Sequence, residues 1–295
     1  MMASKDDGGR GAAAETEPVE FAVERQPGTL AGEALGDGPP IMLLHGITAT
    51  RRYVVHGSKV LARTGYRQLT YDARGHGHSD PPAAGEGYTY PDLVRDVVAV
   101  AEAQVGEAAF VLGGHSMGAH TAVAYALEHP DRVAGLVLIG PVYMGFIDAE
   151  TLPSWDRMAD GLERDGVEGF MEAFDRGLDA QWREVVLRFT RQRMTEHVHP
   201  AAVARALREV PRSAPFEAMS DLEFLDVPAL VVASHDDADP GHPYAAAAAY
   251  AGALPTARLI SEDEGASPLA WQGGRLARAI AEFADSEAVS MRLRR

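Results

Sequence analysis

Short apolar runs alternate along this chain with longer stretches whose apolar positions recur at helical spacing. Residues 19–25 alternate Val, Phe and Val with Glu, Ala and Glu, the pattern of an edge strand, and 28–35 suits its hairpin partner. Residues 40–44 and 68–71 read as short buried strands bracketing a helix over 54–63. Residues 90–104 carry Leu93, Val97, Val98, Val100 and Ala101 on one helical face. A strand ending at 112, an Ala-rich helix over 119–127 and a strand at 135–139 follow. Strands alternating with helices of this length predict βαβ units and a mostly parallel central sheet flanked by helices.

From residue 146 to 221 the strand pattern stops. Residues 155–162, 167–178, 182–194 and 201–210 read as successive amphipathic helices, so a helical cap inserted into the sheet domain is expected. Strands resume at 229–233 and 257–261, with helices over 244–254 and 276–283. The expected layout is a disordered tail at 1–18, a core formed by 19–145 and 222–286, the cap at 146–221, and a solvated C-terminal tail at 287–295.

Composition narrows the function classes. A formal net charge of −16 disfavours nucleic acid and anionic membrane surfaces as partners, since both attract basic patches. The absence of cysteine excludes disulfides, thiolate metal sites and a cysteine nucleophile. The first 18 residues are polar and lack the apolar core of a signal peptide, and no run of 18 apolar residues occurs. A soluble, cytoplasmic protein is expected.

The chemistry centres on Gly113-Gly114-His115-Ser116-Met117-Gly118. An apolar run leads into it and an Ala-rich helix leaves it, which is the strand, turn and helix context of a G-x-S-x-G nucleophile elbow. A serine at so tight a turn sits in strained backbone, and side chains at Gly114 and Gly118 would meet neighbouring backbone. Ser116 is thereby presented at a helix N-terminus, where N–H groups stabilise developing negative charge. The plain alternative is a glycine-rich loop with Ser116 as an ordinary N-cap.

Four further segments stand in order around this turn: Leu43-Leu44-His45-Gly46-Ile47, Asp72-Ala73-Arg74-Gly75-His76-Gly77-His78-Ser79, His129-Pro130-Asp131-Arg132-Val133, and Leu230-Val231-Val232-Ala233-Ser234-His235-Asp236-Asp237. Together they resemble the α/β-hydrolase superfamily over residues 19–284. The resemblance implies an α/β-hydrolase fold and an oxyanion hole made by the N–H groups of Ile47 and Met117. It places the triad acid at Asp237, with Asp236 and Asp239 as alternatives. Asp72 and Arg74 are expected to form a structural pair beside the oxyanion loop.

One departure matters more than these matches. The family's base is a histidine after the last strand, and no histidine follows His242. His242, in Asp239-Pro240-Gly241-His242-Pro243, keeps the chain order Ser, Asp, His and is the candidate base; its plain alternative is a surface residue at a helix start. His45, His115, His76 and His78 suit structural roles, His120 suits burial on the elbow helix, and His197 and His199 belong to the cap. His235, Asp236, Asp237, Asp239 and His242 also carry metal-ligand chemistry, but the strand-end acid loop explains them already, and no cofactor or metal is called for.

The function implied is a serine hydrolase cleaving a small ester, lactone or thioester through a Ser116 acyl-enzyme. The alternative is a ligand-binding protein or lyase that has lost the triad histidine. Met144, Phe146, Trp155, Phe170, Phe174 and Trp182 are the apolar residues available to a pocket under the cap, or to the cap's own core.

Overall fold

The computed structural model describes residues 17–25, 28–176, 178, 180–235, 239–263 and 273–294. Eight strands form one sheet: β1 (Val19–Glu24), β2 (Thr29–Leu35), β3 (Pro40–Leu44), β4 (Arg67–Tyr71), β5 (Phe110–His115), β6 (Val133–Ile139), β7 (Ala229–Val232) and β8 (Ala257–Ile260). Their spatial order is β1-β2-β4-β3-β5-β6-β7-β8. β1 and β2 pair antiparallel, β2 joins β4 antiparallel, and the remaining neighbours are parallel.

Period-two alternation explains how the sheet buries both faces. On β3, Met42 and Leu44 point to one core while Ile41 and Leu43 point to the other. The first core is closed by α2 (Tyr90–Gln104), α3 (Met117–Glu128) and α7 (Tyr244–Ala253). The second is closed by α1 (Val60–Arg63), α8 (Gly273–Ala284) and α9 (Glu287–Leu293). A capping box starts α2: Thr89 accepts from the Asp92 N–H, and the Asp92 carboxylate accepts from the Thr89 N–H.

Between β6 and β7 the chain is helical: α4 (Leu152–Phe174), α5 (Arg183–Met194) and α6 (Pro200–Glu209). α4 kinks at Asp165 and Gly166, where Gly166 takes a positive φ of 63°. Met158, Leu162, Phe170, Met171, Met194, Val203 and Leu207 form a third core that also takes in Ile47, Ala73 and Met117. The insertion therefore sits on the segments that flank the nucleophile turn.

Two local expectations fail. The helix expected over 54–63 is only the four-residue α1, because His56 and Gly57 both take positive φ and break any helix running through them. The end of the chain is not a solvated tail. Val289 on α9 is fully buried, and Arg292 donates to the Val133 and Asp226 carbonyls.

Candidate active site

β5 ends at His115 and α3 begins at Met117, leaving Ser116 alone in the turn with φ 53° and ψ −115°. Backbone of this kind costs about 1–3 kcal/mol at a non-glycine residue and persists only where the surroundings enforce it. Here they do. The Ser116 N–H donates to the Ile139 carbonyl at 3.0 Å. A Cβ on Gly114 would lie 2.3 Å from Gly118 backbone, and one on Gly118 would lie 2.3 Å from the Leu44 carbonyl oxygen. Only glycines let the turn close this tightly against β3.

The N–H of Met117 is one of the unpaired donors of the first turn of α3. The N–H of Ile47 has no acceptor among the described residues. Three neutral histidines hold the segment that carries Ile47. His45 accepts from the Ala73 N–H at 2.8 Å through Nε2 and so donates from Nδ1 to the Gly46 carbonyl, also at 2.8 Å. His76 Nε2 lies 2.7 Å from the Ile47 carbonyl. His197, from the helical insertion, accepts from the Gly77 N–H at 2.9 Å and donates to the Thr48 carbonyl at 3.3 Å. Burial lowers the pKa of all three, to about 4 for His45 and about 3 for His197.

His120 is structural in the same sense. Its Nε2 accepts from the Val142 and Tyr143 N–H groups and its Nδ1 donates to Tyr90 Oη, which pins the chain where it leaves β6. Burial lowers its pKa to about 3.

Asp72 and Arg74 do not pair with each other. Asp72 is buried and binds the Arg51 guanidinium and the N–H groups of Arg51 and His78. Arg74 makes a two-point contact with buried Asp96, 2.7 Å at each oxygen. Each finds its partner on a different segment, Asp72 on the stretch after β3 and Arg74 on α2.

On the other flank of Ser116, His242 Nδ1 lies 2.8 Å from an Asp239 carboxylate oxygen. The imidazole rests over Gly140, where a Cβ would meet it at 3.3 Å, and its ring centroid is 4.7 Å from that of His115. The His242–Asp239 pair therefore abuts the residue preceding Ser116. The Asp239 side chain is half exposed, yet the groups packed around it partly desolvate its carboxylate, which tends to raise its pKa; His242, His115 and Arg193 outweigh this and bring it to about 2. Burial, with His242 nearby, lowers His115 to about 3.

The Ser116 hydroxyl makes no hydrogen bond to any described residue. Asp236 and Asp237 lie outside the described residues, as does 264–272, the segment after the last strand. His235 stacks on Tyr244, with ring centroids 4.1 Å apart, away from His242. His115, Asp239 and His242 bring one potential metal donor each to within 4.8 Å of one another. Of the apolar candidates, Phe170 is fully buried in the core of the insertion and Phe146 is 65% exposed.

Residues 39–235 match the α/β-hydrolase fold family. The chain belongs to that family. A thermophilic esterase from Thermogutta terrifontis superposes on this hydrolase with a TM-score of 0.73 at 25% identity, covering 90% of this chain and 97% of the esterase. Epoxide hydrolase B of Mycobacterium tuberculosis is 40% identical over 108 residues, which is 37% of this chain and 30% of that protein. The chain thus spans about a third of the length of that curated relative. The enol-lactonase of Burkholderia xenovorans shares the fold, with a TM-score of 0.72 at 24% identity over 90% of this chain and all of that one. Among the described residues of this hydrolase, no helix is long and apolar enough to cross a membrane.

Proposed function

We propose that this α/β hydrolase cleaves a small ester, lactone or thioester through a Ser116 acyl-enzyme. The observation that carries the reading is the His242–Asp239 pair set against the residue preceding a strained, glycine-enforced serine turn. Asp239 fixes the His242 tautomer with its proton on Nδ1, leaving Nε2 as the proton acceptor. His242 removes the Ser116 proton as Oγ bonds to the acyl carbon, and the N–H groups of Ile47 and Met117 stabilise the oxyanion. The tetrahedral intermediate expels the alcohol or thiol, which takes the proton from His242. Water then repeats the sequence and releases the acid. The helical insertion acts as the cap over the acyl pocket. An esterase and an enol-lactonase among the structural relatives support this class of substrate.

A second reading has its own support. The Ser116 hydroxyl is not hydrogen-bonded to His242, and the chain after His242 contains no histidine. These features suit a binding protein or lyase on the same scaffold. A fluorophosphonate probe separates the two. It should label the protein at Ser116, and Ser116→Ala should abolish labelling; labelling that persists in the variant removes Ser116 from the chemistry.

A further inference from the structure

Arg193 is the penultimate residue of α5, and that end of the helix is fastened to the oxyanion segment. Glu196 accepts from Thr50 Oγ1 at 2.9 Å and from Tyr53 Oη at 3.0 Å, and His197 bridges Gly77 and Thr48. The anchoring brings the end of α5 against the loop that carries Ile47, where the adjacent Met194 packs in one core with Ile47 and Met117, and the Arg193 charge acts on Tyr53, His56, His115 and Asp239.

The guanidinium has no partner there. Its Nε is buried without an acceptor, and none of its nitrogens makes a hydrogen bond or ion pair with a described residue. Three other arginines have a buried Nε without a hydrogen bond, and each makes one through its remaining nitrogens: Arg25 on Glu86, Arg51 on Asp72 and Arg132 on the Gly106 carbonyl; the Nε atoms of Arg25 and Arg51 also form ion pairs with Asp96 and Glu33. Glu196, three residues on, is committed to Thr50 and Tyr53, and Asp239, on which the Arg193 charge acts, is committed to His242. A partly buried cation left unpaired in a chain of net charge −16 is a vacancy for an anion.

We infer that Arg193 is a recognition site for a carboxylate carried by the substrate, so that the acyl compounds taken by this hydrolase are half-esters or lactones of dicarboxylic acids. The inference rests on the Ser116 acyl-transfer reading for its placement. With Nε buried, the two terminal nitrogens of the guanidinium are the ones open to a ligand, and they match the two oxygens of a carboxylate in a planar, two-point contact, which a spherical ammonium does not reproduce. Such a contact fixes one end of the substrate and so sets which carbonyl meets Ser116.

The test compares mono-p-nitrophenyl glutarate with p-nitrophenyl pentanoate, which matches its chain length but lacks the charge. The wild-type protein should favour the glutarate ester in kcat/KM by about 10- to 100-fold, the range of a charge-assisted hydrogen bond. Arg193→Gln should bring that ratio close to one and Arg193→Lys should restore part of it. Arg188→Gln, exposed on the same helix, should leave it in place. Calorimetry with free glutarate reads the site without turnover, and binding should be lost in Arg193→Gln. If neither ester is hydrolysed but glutarate binding depends on Arg193, the hydrolase reading fails and the anion site stands. If the esters are turned over with no preference, or Arg193→Gln binds glutarate as the wild type does, the site is overturned. Inorganic phosphate binding more tightly than glutarate would overturn the choice of a carboxylate.

Discussion

On the oxyanion side of Ser116, three buried rings hold the loop carrying Ile47, each bonded to backbone of a neighbouring segment: His45 to Ala73, His76 to Ile47 and His197 to Gly77. On the base side, His242 is held by Asp239 alone, three residues away in the same loop, and that carboxylate is 49% exposed. The first arrangement spends its hydrogen bonds on fixing where the Ile47 N–H, one of the two proposed oxyanion donors, points before any substrate arrives. The second keeps an ionisable pair near solvent, where protons can enter and leave. Electrostatic stabilisation works by being preorganised, while a proton carrier has to change state in each cycle. Substitutions on the two sides should therefore fail differently, one through stability and the other through rate.

The largest effect is expected at the turn itself. Gly118→Ala drives a methyl group into the Leu44 carbonyl and should cost about 3 kcal/mol or more, read as a fall in the urea midpoint with loss of activity. An unchanged midpoint would show that the turn has room the structure does not reveal. His45→Ala comes next. It strands the Ala73 N–H and the Gly46 carbonyl, and should cost about 2–3 kcal/mol by the same measurement.

Asp239→Asn should behave in the opposite way, lowering kcat about 10- to 100-fold with a stability change under about 0.5 kcal/mol, because the pair is near the surface. Asp237→Asn should cost less than Asp239→Asn. A larger loss at Asp237 would move the acid to the position that the resemblance implies.

The smallest effect per step is the pH dependence of folding. His45, His115, His120 and His197 have folded pKa values of about 4, 3, 3 and 3, below the ordinary 6.5. The unfolded chain binds their protons first, so the stability they confer is fully present above pH 6.5. It is lost as pH falls towards their folded values, by at most about 1.4 kcal/mol per unit for each ring. Asp239, depressed to about 2, weakens folding only below the usual carboxylate range. Urea midpoints should thus drop between pH 6.5 and 5, and a flat profile there would contradict neutral, locked histidines.

The sheet and the nucleophile turn were legible because period-two alternation and the glycine spacing are local properties of the chain. The breaks were not. A helix over 54–63 has the right apolar spacing, and the positive φ of His56 and Gly57 stops it. Asp72 looked like the partner of Arg74 from two-residue proximity, yet Arg51, twenty-one residues earlier, reaches it first. The three acids at 236, 237 and 239 are alike in sequence; the bond from His242 brings Asp239 forward, while Asp236 and Asp237 lie outside the described residues. Arg193 reads from its pattern as one more charge on a polar helix face. The anchoring of α5 by Glu196 and His197 turns it toward the site, and no spacing rule announces that.

The central claim is that the base comes from the loop between β7 and α7 rather than from beyond the last strand. It is tested most directly by kcat of His242→Ala on a p-nitrophenyl ester, with folding checked by the urea midpoint. The account predicts an unchanged midpoint and a fall in kcat of about 10³-fold, within the range of a lost general base. Turnover equal to that of the wild-type protein would show that His242 carries no proton in the reaction.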